Sequence, residues 1–186
     1  MTETSDTIEA LPPAIERFVL NWGDMGDRWG VNRSVSQIHA LLYLSDRPLT
    51  AEEIADRLGM ARSNVSNSLK ELLGWELIRR VPVMGDRRDH FEAETDVWTI
   101  AARIAAGRRQ RELDPALAAL ASCAAAAESD PRVSPAAKKR LREMEEFTRT
   151  AVGWYDQMTR VPRPTLMALI RLGGKIASLL PARKAK

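Results

Sequence analysis

A chain of 186 residues with 45% hydrophobic and 28% charged residues can bury a core, as one domain or as a small domain with an extended helical region. No apolar run approaches the 18 residues of a membrane span, and the Thr/Glu/Asp-bearing start lacks the apolar stretch of a secretory leader, so a cytoplasmic protein is expected. The formal charge of +3 is modest and unevenly spread: residues 1–31 carry 2 basic and 6 acidic groups, residues 46–93 carry 8 and 9, and residues 94–186 carry 17 and 10.

Met1 to about Glu9 is polar and unpatterned and reads as a tail. Pro12-Pro13 then opens a helix whose Ile15, Phe18, Val19, Trp22, Met25 and Trp29 recur at helical spacing. That aromatic stripe exceeds what one small domain covers, so it is expected to pack on a second subunit or on the C-terminal helices. Gly30 breaks the pattern. Asn32 or Ser34 can cap the next helix, whose Val35, Ile38, Leu41 and Leu42 face a core, and Asp46-Arg47-Pro48 ends it.

Thr50 and Glu53 have the spacing of a capping box, Ile54, Ala55 and Leu58 form an apolar stripe, and Gly59 permits a sharp turn. A second helix is predicted over about Ala61–Leu73, with Val65, Leu69, Leu72 and Leu73 buried. At about 100° per residue, Ser63, Asn67 and Lys70 lie opposite that side, flanked by Asn64, Ser66 and Glu71. Ser, Asn and Lys hydrogen-bond base edges and phosphates, and the only charges between Ala61 and Lys70 are the cations Arg62 and Lys70. A merely solvated helix would more often carry Glu and Lys.

Strands are predicted over Ile78–Val83 and His90–Ala93, joined by Met84-Gly85-Asp86-Arg87-Arg88-Asp89 as a hairpin tip. Arg87 and Arg88 are placed to reach a minor groove or its phosphates, and Asp86 or Asp89 to hold one guanidinium in a fixed fork. The bland alternative is a charged hairpin that serves solubility. Helix, turn, helix and basic wing, in this order and spacing, read as a DNA-binding module.

From Trp29 to Glu94 the chain resembles the MarR superfamily of winged-helix regulators, and within it is most similar to the GbsR-like branch. The resemblance covers roughly Ile15–Pro115. It is most specific at Trp29-Gly30-Val31-Asn32-Arg33, Ser63-Asn64-Val65-Ser66 and Gly85-Asp86-Arg87-Arg88. It implies a homodimer that sets two recognition helices in successive major grooves and its wings in minor grooves, with Ser63, Asn64, Ser66, Asn67 and Lys70 on bases or phosphates. Ala61 departs from the pattern by standing where relatives carry a Ser or Thr cap, a loss of about 1 kcal/mol unless Ser63 caps a later start.

Beyond Asp96, Val97, Ile100 and Ile104 begin a long helical region that Asp114-Pro115 restarts. Ala116–Ala127 has high helix propensity and small side chains, and Cys123 within it reads as a small core residue. One cysteine excludes an intrachain disulfide framework, and with only His39 and His90 to join it no metal site or cofactor is expected. Ser134 and Pro135 start a helix of about seven turns, with Leu141, Met144, Phe147, Ala151, Trp154, Tyr155 and Met158 along it. Thr165–Leu180 reads as another, and Arg183, Lys184 and Lys186 as a basic tail.

The chain thus reads as mainly α with a small β-wing. Residues 1–31 form a tail and dimerisation helix, 32–95 a winged helix-turn-helix and 96–186 a C-terminal helical dimerisation region. No Gly-rich phosphate loop, Ser/His/Asp set or metal-ligand spacing supports an enzyme. The expected function is sequence-specific transcriptional regulation, as a repressor and homodimer on double-stranded DNA, relieved by a small-molecule effector where one binds. A protein-interaction winged helix and a non-specific architectural DNA-binding protein are the competing readings. The GbsR-like branch includes sensors of choline-type osmoprotectants, and Trp22, Trp29, Tyr43, Trp154 and Tyr155 are the residues that could cage a quaternary ammonium. The same aromatic spacing equally suits a packed core or dimer stripe.

Overall fold

The computed structural model describes residues 11–173. The tails expected at Met1–Glu9 and at Arg183, Lys184 and Lys186 lie outside the described residues, as does the end of the helix expected to reach Leu180. Contacts divide the chain into two units, the first running to Gly107 and the second starting at Arg108.

In the first unit α1 (Pro13–Arg28), α2 (Arg33–Tyr43), β1 (Leu49–Thr50), α3 (Ala51–Leu58), α4 (Arg62–Gly74), β2 (Ile78–Val83), β3 (Asp86–Ala93) and α5 (Val97–Arg108) follow in order. The strands make one antiparallel sheet in the order β1-β3-β2, with Leu49 opposite Phe91 and Arg80 opposite Phe91 from the other side. The short β1 carried no legible alternation. It exists because Leu49 and Thr50 run beside β3 just before the capping box, where both are fully buried.

Ile38, Leu41, Leu49, Ile54, Val65 and Leu72 form the centre of the core, and Ile100 of α5 joins its margin. Fully burying one such side chain contributes about 1.5–3 kcal/mol. α2 is buried along most of its length, including His39 and Ser36, because α1 covers one side of it and α4 another. The approach of α1 is close at two glycines: a methyl at Gly23 would lie 2.6 Å from Gln37 Cγ, and one at Gly26 would collide with Ser36 Oγ. Within the first unit, then, α1 buries Val19 fully and Ile15, Phe18, Trp22 and Met25 partly. Trp29 falls past the end of the helix and is 62% exposed, a correction to its place in the stripe.

The α1–α2 connection follows from Trp29-Gly30-Val31-Asn32-Arg33. Gly30 sits at φ 76, the Gly30 and Val31 amides donate to the Asp27 and Gly26 carbonyls at 2.9 Å each, and Asn32 Oδ1 accepts from the Ser34 amide at 2.8 Å. This is a Schellman end followed directly by an N-cap. Arg33 then pairs with Asp24 across the two helices at 2.9 Å.

The second unit contains a π-helical segment (Arg109–Leu113), α6 (Asp114–Ser129), α7 (Pro135–Thr159) and α8 (Arg163–Leu172). α6 and α7 pack together through Ala124, Ala127 and Val152. Ser134 caps α7 as expected, its hydroxyl accepting from the Ala137 amide at 3.2 Å. Cys123 is exposed on α6, not a core residue, because the packed side of that helix passes through Ala124 and Ala127. The apolar stripe expected along α7 is split. Leu141, Val152 and Tyr155 turn to the packed side, whereas Met144, Phe147, Ala151 and Trp154 are exposed. Val97 of α5 is likewise exposed. No helix among the described residues is long and apolar enough to cross a membrane.

Candidate nucleic-acid interface

The capping box at α3 is formed as the sequence implies. Thr50 Oγ1 accepts from the Glu53 amide at 3.2 Å, and Glu53 Oε2 accepts from the Thr50 amide at 2.7 Å. Arg47 Nη2 donates to the same carboxylate at 2.5 Å. Burial pushes Glu53 upward, but the hydrogen bonds from Arg47 and Thr50 outweigh it and hold the carboxyl at about 2. Gly59 leaves α3 at φ 61 and the Met60 amide closes onto the Ala55 carbonyl at 2.9 Å, which sets the tight turn into α4.

α4 begins at Arg62 behind Ala61, which provides no side-chain cap. Ser63 does not supply the missing cap, since the helix does not start late enough. Val65, Ser68, Leu69 and Leu72 face the core, and Leu73 is only half-buried. Ser68 is an inward position that polarity concealed. Arg62, Ser63, Asn64, Ser66, Asn67 and Lys70 are all exposed. Among the described residues the side chains of Arg62, Ser63, Ser66, Asn67 and Lys70 make no hydrogen bond or ion pair within the protein. Asn64 differs, because its Nδ2 donates to Ser34 Oγ at 2.9 Å and ties α4 to the start of α2.

The wing is tighter than its sequence suggests. Val83 pairs with Asp86, so the expected six-residue tip is a two-residue turn, Met84-Gly85, with Gly85 at φ 83. A turn with positive φ only at its second central residue has the type II pattern, whose twist fits a hairpin poorly. A register shift between Val81 and Val83 absorbs the mismatch at Pro82, which has no amide to donate to the ladder.

Three residues past that turn, the Arg88 guanidinium is clamped by Asp86: Nε lies 3.0 Å from both carboxylate oxygens, and the Arg88 amide also donates to Oδ1 at 3.0 Å. The Arg88 hydrogen bonds hold the Asp86 carboxyl well below the usual carboxylate range. His90 backs the clamp from the buried side, with Nδ1 3.0 Å from the Arg88 carbonyl and Nε2 3.5 Å from Asp86. Arg87 is exposed and has no ion-pair partner among the described residues. Arg80, not singled out by the sequence, lies over the Phe91 ring at 6.0 Å and 3.6 Å from Asp89. A groove of about 280 Å³ is lined by Ser66 and Lys70 of α4 and by Arg80, Arg88 and Asp89 of the wing, so helix and wing border one concavity.

The aromatic candidates are only partly gathered. Trp22 stacks on Phe18 with centroids 5.5 Å apart, and His39 lies 6.4 Å from both Trp22 and Tyr43. Trp29 is outside that row. In the second unit Trp154 is exposed, and Tyr155 lies 5.8 Å from the Arg109 guanidinium with its hydroxyl buried and without a hydrogen-bond partner among the described residues.

A helix-turn-helix carrying a hairpin wing on a three-stranded antiparallel sheet is a winged helix. Residues 26–89 match the model of the MarR family. Two proteins of Bacillus subtilis (strain 168) are similar to it. YvaV, named as an HTH-type transcriptional regulator, is 23% identical over 93 residues, 50% of this chain and 52% of its own. The HTH-type transcriptional repressor OpcR is 23% identical over 91 residues, 49% of each. The chain therefore spans about half the length of the curated relatives it matches. Among solved structures, a transcriptional regulator aligns at 26% identity over 78% of this chain and 99% of its own, with a TM-score of 0.47. S. aureus MepR in a DNA-binding conformation aligns at 17% over 74% and 91%, with a TM-score of 0.36.

Proposed function

We propose that the protein is a sequence-specific DNA-binding transcriptional regulator of the GbsR-like branch, acting as a homodimeric repressor. In this reading α4 enters the major groove, where Ser63, Asn64, Ser66 and Asn67 meet base edges and Arg62 and Lys70 meet phosphates. Arg87 and Arg88 carry the wing toward the minor groove. The observation that carries the reading is the outward face of α4. Five exposed polar or cationic side chains there have no partner within the protein among the described residues, on a helix whose first turn is uncapped. Free N–H groups at a helix start are suited to a phosphate oxygen.

Selection of duplexes from fragmented genomic DNA by the purified protein tests this. A recovered common site that resists competitor DNA is expected. Retention that falls steeply with salt and shows no common site would favour an architectural role, and no retention would favour a protein-interaction winged helix.

Dimerisation is supported by the row of Met144, Phe147, Ala151 and Trp154, spaced three and four residues apart and exposed on α7. Relief by a small-molecule effector is the remaining part of the reading. The row Trp22–His39–Tyr43 supports it, because the His39 Nε2 is buried without a hydrogen-bond partner among the described residues. Calorimetry with choline, glycine betaine and aromatic acids, with and without operator, tests it: binding must weaken operator affinity reciprocally, and no heat from any of them removes this part.

A further inference from the structure

The far end of the wing carries no base-reading or phosphate-binding group. It is Met84, fully exposed, beside Val83, which is also exposed. A two-residue turn bathed in water is well served by Asn, Asp or Ser, which hydrogen-bond their own backbone. Here the turn's conformational demand falls on Gly85, at φ 83, leaving the first turn position free to carry any side chain. That position holds an unbranched, polarizable, apolar chain with nothing of the described fold against it. Behind the tip lie Arg87, which has no ion-pair partner among the described residues, Arg88 clamped by Asp86, and Arg80 over Phe91 and 3.6 Å from Asp89. An apolar point with the uncompensated guanidinium of Arg87 behind it is complementary to a minor groove, whose walls are phosphates and whose stacked bases can be parted by an apolar wedge.

We propose that Met84 is such a wedge. Where the wing meets DNA, its thioether chain enters between adjacent base pairs, partly unstacks them and kinks the duplex. The proposal rests on the DNA-binding reading above and adds a way of choosing sites that hydrogen bonding does not provide. Pyrimidine–purine steps unstack most easily, so sites carrying TA or CA/TG steps under the wings are favoured although no side chain reads those bases directly. The Asp86–Arg88–His90 clamp has a positioning role here, since it stiffens the hairpin base from which Met84 projects.

The test uses the full chain and a duplex recovered by it, with dyes at the DNA ends to read bending and 2-aminopurine at the steps under the wings to read unstacking. The parent is expected to bend the duplex by an angle in the range of about 20–90° and to raise the 2-aminopurine emission. Met84→Leu is expected to keep both signals. Met84→Ala and Met84→Asn are expected to lose both and to bind TA-containing and GC-substituted flanks alike, with the salt dependence of binding unchanged. Bending and flank preference in Met84→Ala equal to the parent's would overturn the wedge and leave the DNA reading standing. If the parent retains no duplex at all, both fall. Because Met84 is fully exposed, unchanged circular dichroism is expected of every variant.

Discussion

Glu76 occupies the place at the end of α4 that glycine usually takes. It sits at φ 57, with its own amide donating to the Leu73 carbonyl and the Leu77 amide to the Leu72 carbonyl, both at 3.0 Å. An L side chain in that conformation costs about 1–2 kcal/mol, while glycine gives some of this back through its freer unfolded chain. Glu76→Gly is therefore expected to stabilise the protein by about 0.5–1 kcal/mol in urea unfolding. Equal or lower stability would mean that the ion pair between Arg103 and the Glu76 carboxylate, at 3.9 Å, already offsets the strain. The turns at Gly30 and Gly59 were legible in the sequence because glycine announces them, whereas a glutamate gives no such signal. The wing arginines also divide at this scale. Arg87→Ala is expected to lower the salt slope of operator binding by about 0.9, the value for one phosphate contact. Asp86→Ala is expected to raise that slope and relax sequence preference, since the Arg88 charge is then neither offset nor anchored. Anisotropy titrations across a salt series would show both, and identical slopes for parent and variants would contradict the assignment.

The α1–α2 pair shows what an element-level reading recovers and misses. Its caps and apolar faces follow from periodicity and from Asn32, but the distance between the helices is set by Gly23 and Gly26, whose role appears only when Gln37 and Ser36 lie against them. Gly26→Ala is expected to destabilise by about 1–3 kcal/mol through overpacking, with part recovered by adding Ser36→Gly; thermal unfolding would measure it. The same interface holds His39 between Trp22 and Tyr43, and burial lowers its imidazole from 6.5 to about 4. The unfolded chain takes up a proton as the pH falls through 6.5 while the folded imidazole stays neutral. Stability is therefore complete above that pH and is lost progressively toward pH 4, by about 3 kcal/mol in full. Glu53 adds a separate acid loss, between about 4.5 and 2. Urea unfolding of His39→Phe from pH 7 to 4 should show a flatter profile than the parent, and parallel profiles would show that His39 takes up its proton at the same pH in the folded and unfolded chains. In the wing the strand identities were legible but the turn length was not. The charged run Asp86–Asp89 looks like a loop, yet it is strand: Asp86 pairs with Val83 of β2, Asp86 holds Arg88 within the run, and Asp89 faces Arg80 of β2.

For the whole molecule, the candidate site was legible because a solvent-facing helix face without glutamate is a local pattern that needs no tertiary information. The exposed row on α7 was not separable from the packed one, since Met144, Phe147, Val152 and Tyr155 are all apolar or aromatic and only the position of α6 distinguishes them. A dimer that buries the exposed row is expected to give monomers on Phe147→Glu with Trp154→Glu, as read by sedimentation at micromolar concentration; a parent already monomeric there would contradict the homodimer. Anisotropy titration of Asn67→Ala and Lys70→Ala against the selected operator and a scrambled duplex decides whether the outward face of α4 reads DNA. Asn67→Ala is expected to lose about 1–3 kcal/mol of the preference for operator over scrambled DNA, and Lys70→Ala to weaken both duplexes equally. If both variants bind the two duplexes as the parent does, α4 is not the DNA-reading surface.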